Sequence, residues 1–273
     1  MNLPINQILL ESQNIIKKNF SLLFKKVFLI SILFLPIAYI LSTLESYSTL
    51  YPMLFALIAY IGLFVLFAIT VHRTVLLGDK STPSYGHFFW SKREWIFLGY
   101  FIFINLFLEL FSTLIVWATE FFYMFFSLGF GNSFNWMAFF HNKTYLLIAI
   151  VALLLFIFIS ILTYRLSMLF PALSIGKKGV GLKWAMKISK GNGWRLFWIN
   201  SMPVMIGFFL FDVSTFFDRI ERLLGTYVSI FFILFVVLLL AIYQITLISI
   251  SFKYLDEFDK ENVILKNSTN MRL

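Results

Sequence analysis

Long, nearly unbroken apolar runs, separated by short polar and mostly basic connections, dominate the chain. Crossing about 30 Å of hydrocarbon takes roughly 20 mainly apolar residues. Six runs meet that length approximately: 27–44, 51–71, 95–117, 145–164, 196–211 and 226–250. They predict an all-α, polytopic helical membrane protein with six transmembrane helices. The fifth run is the shortest and carries Asn200, Pro203 and Gly207. The expected organisation is an N-terminal segment over 1–26, a six-helix transmembrane domain over 27–251 and a tail over 252–273.

Two stretches between the runs have a different, two-faced pattern. In the first, Pro4 suits a first helical position behind Asn2. At 100° per residue Ile5, Ile8, Leu9, Ile15, Ile16, Phe20 and Leu23 then gather on one face, opposite Asn6, Gln7, Glu11, Asn14, Lys17 and Lys18. Such a helix either lies in the membrane interface or packs its apolar face on the protein's own spans. The second stretch is GKKGVGLKWAMKISKGNGW, residues 176–194, where Lys183, Lys187 and Lys190 share a helical face and Trp184, Ala185 and Ile188 lie away from it. Gly191-Asn192-Gly193 is expected to end that helix before the fifth run.

Composition agrees with the pattern. Residues of the AVILMFWYC set make up 60% of the chain and charged residues 13%, against about 45–50% and about 25% in soluble domains. With no cysteine among the 273 residues, disulfides, thiolate nucleophiles and cysteine-based metal centres are excluded. The formal net charge is +9, but the cations sit between apolar runs, which fits anionic lipid and speaks against nucleic acid.

The placement of those cations predicts orientation. Lys17, Lys18, Lys25 and Lys26 precede the first run, and Arg73, Lys80, Lys92 and Arg93 join the second to the third. Arg165, Lys177, Lys178, Lys183, Lys187, Lys190 and Arg195 join the fourth to the fifth, and Lys253, Lys260, Lys266 and Arg272 lie in the tail. The alternate connections hold only Lys143, Arg219 and Arg222. By the positive-inside rule both termini are cytoplasmic. The first run has 26 residues before it and no small-x-small site after it, so it is expected to stay as an anchor.

One stretch carries a family resemblance. TYRLSMLFPALSIGKKGVGLKWAMKISKGNGWRLFWIN, residues 163–200, sets an Arg near a span end, then Pro-Ala, a basic interfacial helix and a Gly-Asn/Trp-Arg turn. It resembles the YciC-like family of bacterial inner-membrane proteins and the membrane domain preceding some glycerophosphodiester phosphodiesterases. VHRTVLLGDKSTPSYGHFFWSKREWIFLGY, residues 71–100, resembles a stretch in related proteobacterial membrane proteins. The resemblance implies a multi-span helical domain of the bacterial inner membrane; hydrolysis is not carried over, because the soluble phosphodiesterase domain is not among these residues. Both connections begin with an Arg at a span end, Arg73 and Arg165, and finish with aromatic and basic residues, a pattern compatible with a parallel repeat.

Candidate chemistry is sparse. Glu109 stands about 21 Å along its helix from Trp95, with Asn105, Ser112 and Thr113 at helical spacing. Because a central charge costs roughly 2.5–3.5 kcal/mol to insert, this polar stripe is expected to face the bundle or a water-filled crevice. It reads either as a proton or cation site or as a neutral carboxyl hydrogen-bonded between helices. His72, Arg73, Arg165 and Gln244 fall at similar depth near the basic ends of their spans, as one headgroup or phosphate pocket or as snorkelling side chains. Lys183, Lys187 and Lys190 are the further candidates for headgroup contact.

His72, His87 and His141 have no metal-ligand spacing, so no metal or cofactor is expected. With no phosphate loop or nucleophile elbow in the sequence, the expectation is a non-catalytic inner-membrane protein that binds lipid or scaffolds an envelope complex, partnered by anionic lipid and by another membrane protein or a second copy. Transport through Glu109 is the alternative. Glu109→Gln keeps the donor and acceptor of a neutral carboxyl, so it should preserve thermal stability and complementation of a deletion strain. Glu109→Leu should cost about 1 kcal/mol. A stable Gln variant that fails to complement identifies a proton or cation site.

Overall fold

The structure, a computed structural model, describes residues 2–44, 50–83, 86–130, 143–211 and 226–270. Every regular element among them is a helix. In chain order these are α1 (Ile5–Leu44), α2 (Leu50–Leu77), a 3₁₀ turn (Asp79–Ser81), α3 (Lys92–Phe130), α4 (Lys143–Leu166), α5 (Leu169–Ser174), α6 (Leu182–Ile188), α7 (Gly193–Phe211) and α8 (Thr226–Asn270). The connections expected over 45–50 and 212–225 fall largely or wholly outside the described residues, as do 131–142 of the one expected over 118–144, whose first part is helix because α3 continues to Phe130.

Among the described residues four stretches are long and apolar enough to cross a bilayer: Leu54–Leu77, Lys92–Phe111, Ile150–Ser174 and Leu234–Asp259. The third runs through α4 into α5. The helices of the first and last supply the interior, with 44% and 39% of their most apolar windows buried against 17% for the other two. On α8 the run Ile245 to Phe252 is buried at every position, because α1, α2, α5, α6 and α7 pack around that helix. On α4, by contrast, Leu153, Leu154, Phe156 and Phe158 are all more than half exposed. Apolar surface on that scale has no place in water and suits contact with hydrocarbon.

Four hydroxyl groups inside α2 and α8 bond to their own backbones. Thr70 Oγ1 donates to the Leu66 carbonyl, Thr74 Oγ1 to Thr70, Thr246 Oγ1 to Ile242 and Ser249 Oγ to Ile245, at 2.7–2.8 Å. In a bilayer such pairing removes the cost of an unmet polar group.

The chain breaks α1 at Asn19 (φ −110°, ψ 16°), the only non-helical residue inside it. That break divides the N-terminal amphipathic piece from the run that follows. Leu3 and Ile8 are fully buried, in a cluster with Met168, Leu196, Ile199 and Leu247. The apolar face of the first piece therefore packs on α5, α7 and α8, while Leu10 and Phe20 stay exposed. Nor does α8 stop at Ile250: it continues as helix to Asn270, and in that extension Tyr254 Oη and Lys253 Nζ donate to Glu11 at 2.9 and 3.1 Å.

Candidate functional site

The polar groups concentrate at the basic end of the bundle, in two assemblies. The first is built by the connection between α2 and α3. Lys26, on α1, is 1% exposed, yet its ammonium is saturated. It donates to Thr82 Oγ1 at 2.9 Å and the Thr82 carbonyl at 3.1 Å, and bonds the Asp79 carboxylate at 2.9 Å and the Asp79 carbonyl. An unpaired ammonium could not occupy such a place. Gly86 lets the connection lie flat on α1, since a Cβ there would come within 2.7 Å of the Lys26 carbonyl oxygen and its φ is +94°.

Past Gly86 the connection turns back towards α2. The His87 amide donates to Thr70 Oγ1 at 3.0 Å. Its ring bridges two charged groups, with Nδ1 3.4 Å from an Arg73 nitrogen and Nε2 3.0 Å from Glu94 Oε1. Arginine only donates, so in this arrangement Nδ1 accepts and the Nε2–H donates to the carboxylate. The second Glu94 oxygen accepts from the Ser91 amide at 2.8 Å and from its hydroxyl. Ser91-Lys92-Arg93-Glu94 is thus a capping box at the start of α3, and its carboxylate also anchors the His87–Arg73 pair.

The second assembly joins α4 to α7. Arg165 donates to Ser189 Oγ at 3.0 Å and to the Met186 carbonyl at 2.6 Å, holding α6 against the end of α4. Gly193 makes room, because a Cβ there would meet Ile161 Cγ2 at 2.8 Å. The turn that follows grips the start of the chain: the Leu3 amide donates to Asn192 Oδ1 at 2.8 Å, and Arg195 donates to the Leu3 carbonyl at 2.6 Å. Lys177 pairs with Asp256 on α8, its ammonium 5.0 Å from the centre of the Trp184 ring.

The candidate residues sit as follows. His72 is 2% exposed and bonds Ser249 Oγ at 2.7 Å, which removes it from any surface a headgroup reaches. Gln244 donates to Asn200 Oδ1 at 3.1 Å. Instead of lining one common pocket, His72, Arg73, Arg165 and Gln244 each have a partner of their own, as low dielectric demands of buried polar groups.

Lys183 and Lys187 project from α6, and both are exposed. Lys190, also exposed, stands beyond α6, which ends at Ile188, before the expected Gly191-Asn192-Gly193 stop. Ala185 is buried and Trp184 and Ile188 half-buried, so the apolar side points inward as the spacing predicts.

Asn105 and Glu109 are exposed on α3, not on its packed side. That side is taken by Phe97, Phe101 and Ile104, with the Phe97 ring tilted against Phe170 at 4.9 Å and the Phe101 ring against Phe64 at 5.1 Å. Asn105 donates to the Phe101 carbonyl of its own helix at 2.8 Å. Thr113 is half-buried, and the Ser112 side chain lies outside the described residues.

Exposed tryptophans ring the same basic end. Trp90 and Trp95 pair at 5.2 Å at the start of α3, and Trp194 and Trp198 pair edge-on at 5.6 Å at the start of α7. Tryptophan with lysine at helix ends is the usual composition of a membrane–water boundary. Among the described residues no group of metal-ligating side chains occurs. The chain matches no family model, no curated protein and no solved structure.

Removing Lys26 and removing its carboxylate partner should differ sharply. Lys26→Ala strands the Thr82 and Asp79 carbonyls and opens a void, for a loss of at least about 2 kcal/mol. The Asp79 side chain is 67% exposed, and Asp79→Ala leaves Lys26 its other acceptors, so it should cost under about 1 kcal/mol. Unfolding midpoints in detergent compare the two; equal losses would contradict this account of the buried ammonium.

Proposed function

We propose that the chain is a non-catalytic, multi-pass protein of the bacterial inner membrane that binds anionic lipid at its basic end and organises lipid or an envelope complex there. The carrying observation is the connection 176–195. Its lysines Lys183, Lys187 and Lys190 are exposed, and none takes part in an ion pair among the described residues. They share that connection with the exposed Trp194, and Trp198 follows one turn into α7. Cations held beside interfacial aromatics match anionic phosphates, each lysine being worth about 1 kcal/mol near such a surface.

In this reading the part of α1 beyond Asn19 is the first span and helix α7 the fifth, making six with the four stretches above, and both termini are cytoplasmic. The asymmetric spread of Lys and Arg supports that orientation. The hydrogen bonds of Lys26, His87 and Arg165 support a structural role for the two assemblies, since they hold the connections in place.

Two experiments test the proposal. Reporter fusions at Leu273 and within 212–225 should read as cytoplasmic and external respectively; an external tail would overturn the topology. Replacing Lys183, Lys187 and Lys190 together with Gln should leave insertion intact, lower the anionic lipid retained by the purified protein in native mass spectrometry, and make the remainder less sensitive to salt. Unchanged retention would leave those lysines as determinants of topology only.

A further inference from the structure

A narrow crevice of about 140 Å³ opens between α1, α2 and α8. Its basic end is marked by Phe24, Phe67 and Ala241 and its deep end by Phe34, Tyr60 and Leu234. Phe24 and Phe34 are ten residues apart on a continuous helix, so the crevice runs about 15 Å along α1. That is half of the roughly 30 Å hydrocarbon core, the depth of one leaflet. The α2 and α8 walls belong to the two spanning stretches Leu54–Leu77 and Leu234–Asp259, which places the crevice within hydrocarbon.

Its lining is almost wholly apolar. The hydroxyl of Ser31 is spent on the Val27 carbonyl at 2.8 Å. Phe28 and Ile32 are 48% and 41% exposed, so the crevice opens sideways towards the bilayer. At 140 Å³ it is well below the roughly 300–1,000 Å³ of pockets that enclose compact ligands. It does not enclose a compact ligand, whereas its length and open side suit a linear chain lying along it with one flank in the bilayer.

The same helix face carries a cation at the mouth. Lys25 is exposed, one turn before Phe28 and two before Ile32, positions that share a helix face. Its neighbour Lys26 points to the opposite side, into the Asp79–Thr82 turn, leaving Lys25 to meet the headgroup region.

We propose that this crevice holds one acyl chain of an anionic phospholipid, with Lys25 at the lipid phosphate. This rests on the lipid-binding reading and deepens it by naming a second place on the molecule, and a chain as well as a headgroup. The occupant follows from three independent features: a leaflet-deep length, a cross-section open to the bilayer and too narrow for a compact ligand, and a lysine at the end where a phosphate lies.

The test uses the full chain in vesicles of phosphatidylethanolamine and phosphatidylglycerol, the latter bearing a diazirine midway along one acyl chain. On irradiation, adducts should concentrate on the segments 24–34 and 234–241. Ala241→Phe, which fills the basic end, should reduce those adducts at least fivefold while leaving the background on α3 and α4 unchanged. Ser31→Leu fills the opposite wall and should do the same, so a folding defect in either variant leaves the other to decide. Lys25→Gln should lower labelling by the phosphatidylglycerol probe about fivefold, the equivalent of about 1 kcal/mol, with a smaller effect on a phosphatidylcholine probe.

Adducts spread evenly over the exposed helix faces, or labelling indifferent to both filling variants, would overturn the proposal. So would cross-linking of a second copy through this crevice in place of lipid. Retention dependent on Lys183, Lys187 and Lys190 with no adducts at 24–34 would remove the crevice and leave the wider lipid-binding reading standing. Loss of both effects would remove the two together.

Discussion

A buried ammonium with no acceptors is far costlier than any ordinary packing defect, and the basic end of this protein is arranged around that fact. Lys26 lies at 1% exposure on α1, and its partners come from a turn more than 50 residues away in sequence. The turn cannot leave without stranding the charge, and α1 cannot rotate without breaking the turn. From this one group follow the path of the α2–α3 connection, the need for glycine at position 86 and the approach of His87 to Thr70. Interactions of this type are strong because water is excluded, and they fix one geometry for the same reason.

Much of the architecture was legible from hydrophobic pattern alone, because a spanning helix has to be apolar along its whole length. The four spanning stretches overlap the runs predicted over 51–71, 95–117, 145–164 and 226–250, and the amphipathic start of the chain appears as helix up to a break at Asn19. What the pattern did not reveal is which way the polar residues turn. The stripe of Asn105 and Glu109 has the spacing of an inward face, yet Phe97, Phe101 and Ile104 take the packed side and leave the stripe exposed. Spacing fixes the relative direction of side chains on a helix and says nothing about where the neighbouring helix lies.

The groups missed in sequence follow the same logic. Ser91-Lys92-Arg93-Glu94 had the local signature of a capping box, and it was available to be read. That Glu94 would also receive His87, and His87 meet Arg73, depended on the return path of a connection whose geometry no local motif specifies. Lys26 looked like one more topology-setting cation beside Lys25, although the two point to opposite sides of α1. A lysine at a span end can face lipid headgroups or the protein's own carbonyls, and only the position of the connection decides between them.

That opposition links the two halves of the molecule's physics. On the inner side of α1, Lys26 draws in the α2–α3 connection and immobilises the helix; on the outer side, Phe24, Phe28 and Ile32 present a surface that α2 and α8 do not fully cover. A cavity open to lipid persists only if its walls cannot collapse together, since closing it would recover dispersion contacts at every lining atom. The ion pair and the hydrogen bonds of Lys26, with the packing of Leu23, Val27 and Ile30 beside it, set the position of α1 against that collapse. The rigidity of the polar side and the openness of the apolar side are therefore two consequences of one anchored helix, which leaves the protein a defined apolar surface beside a fixed polar one.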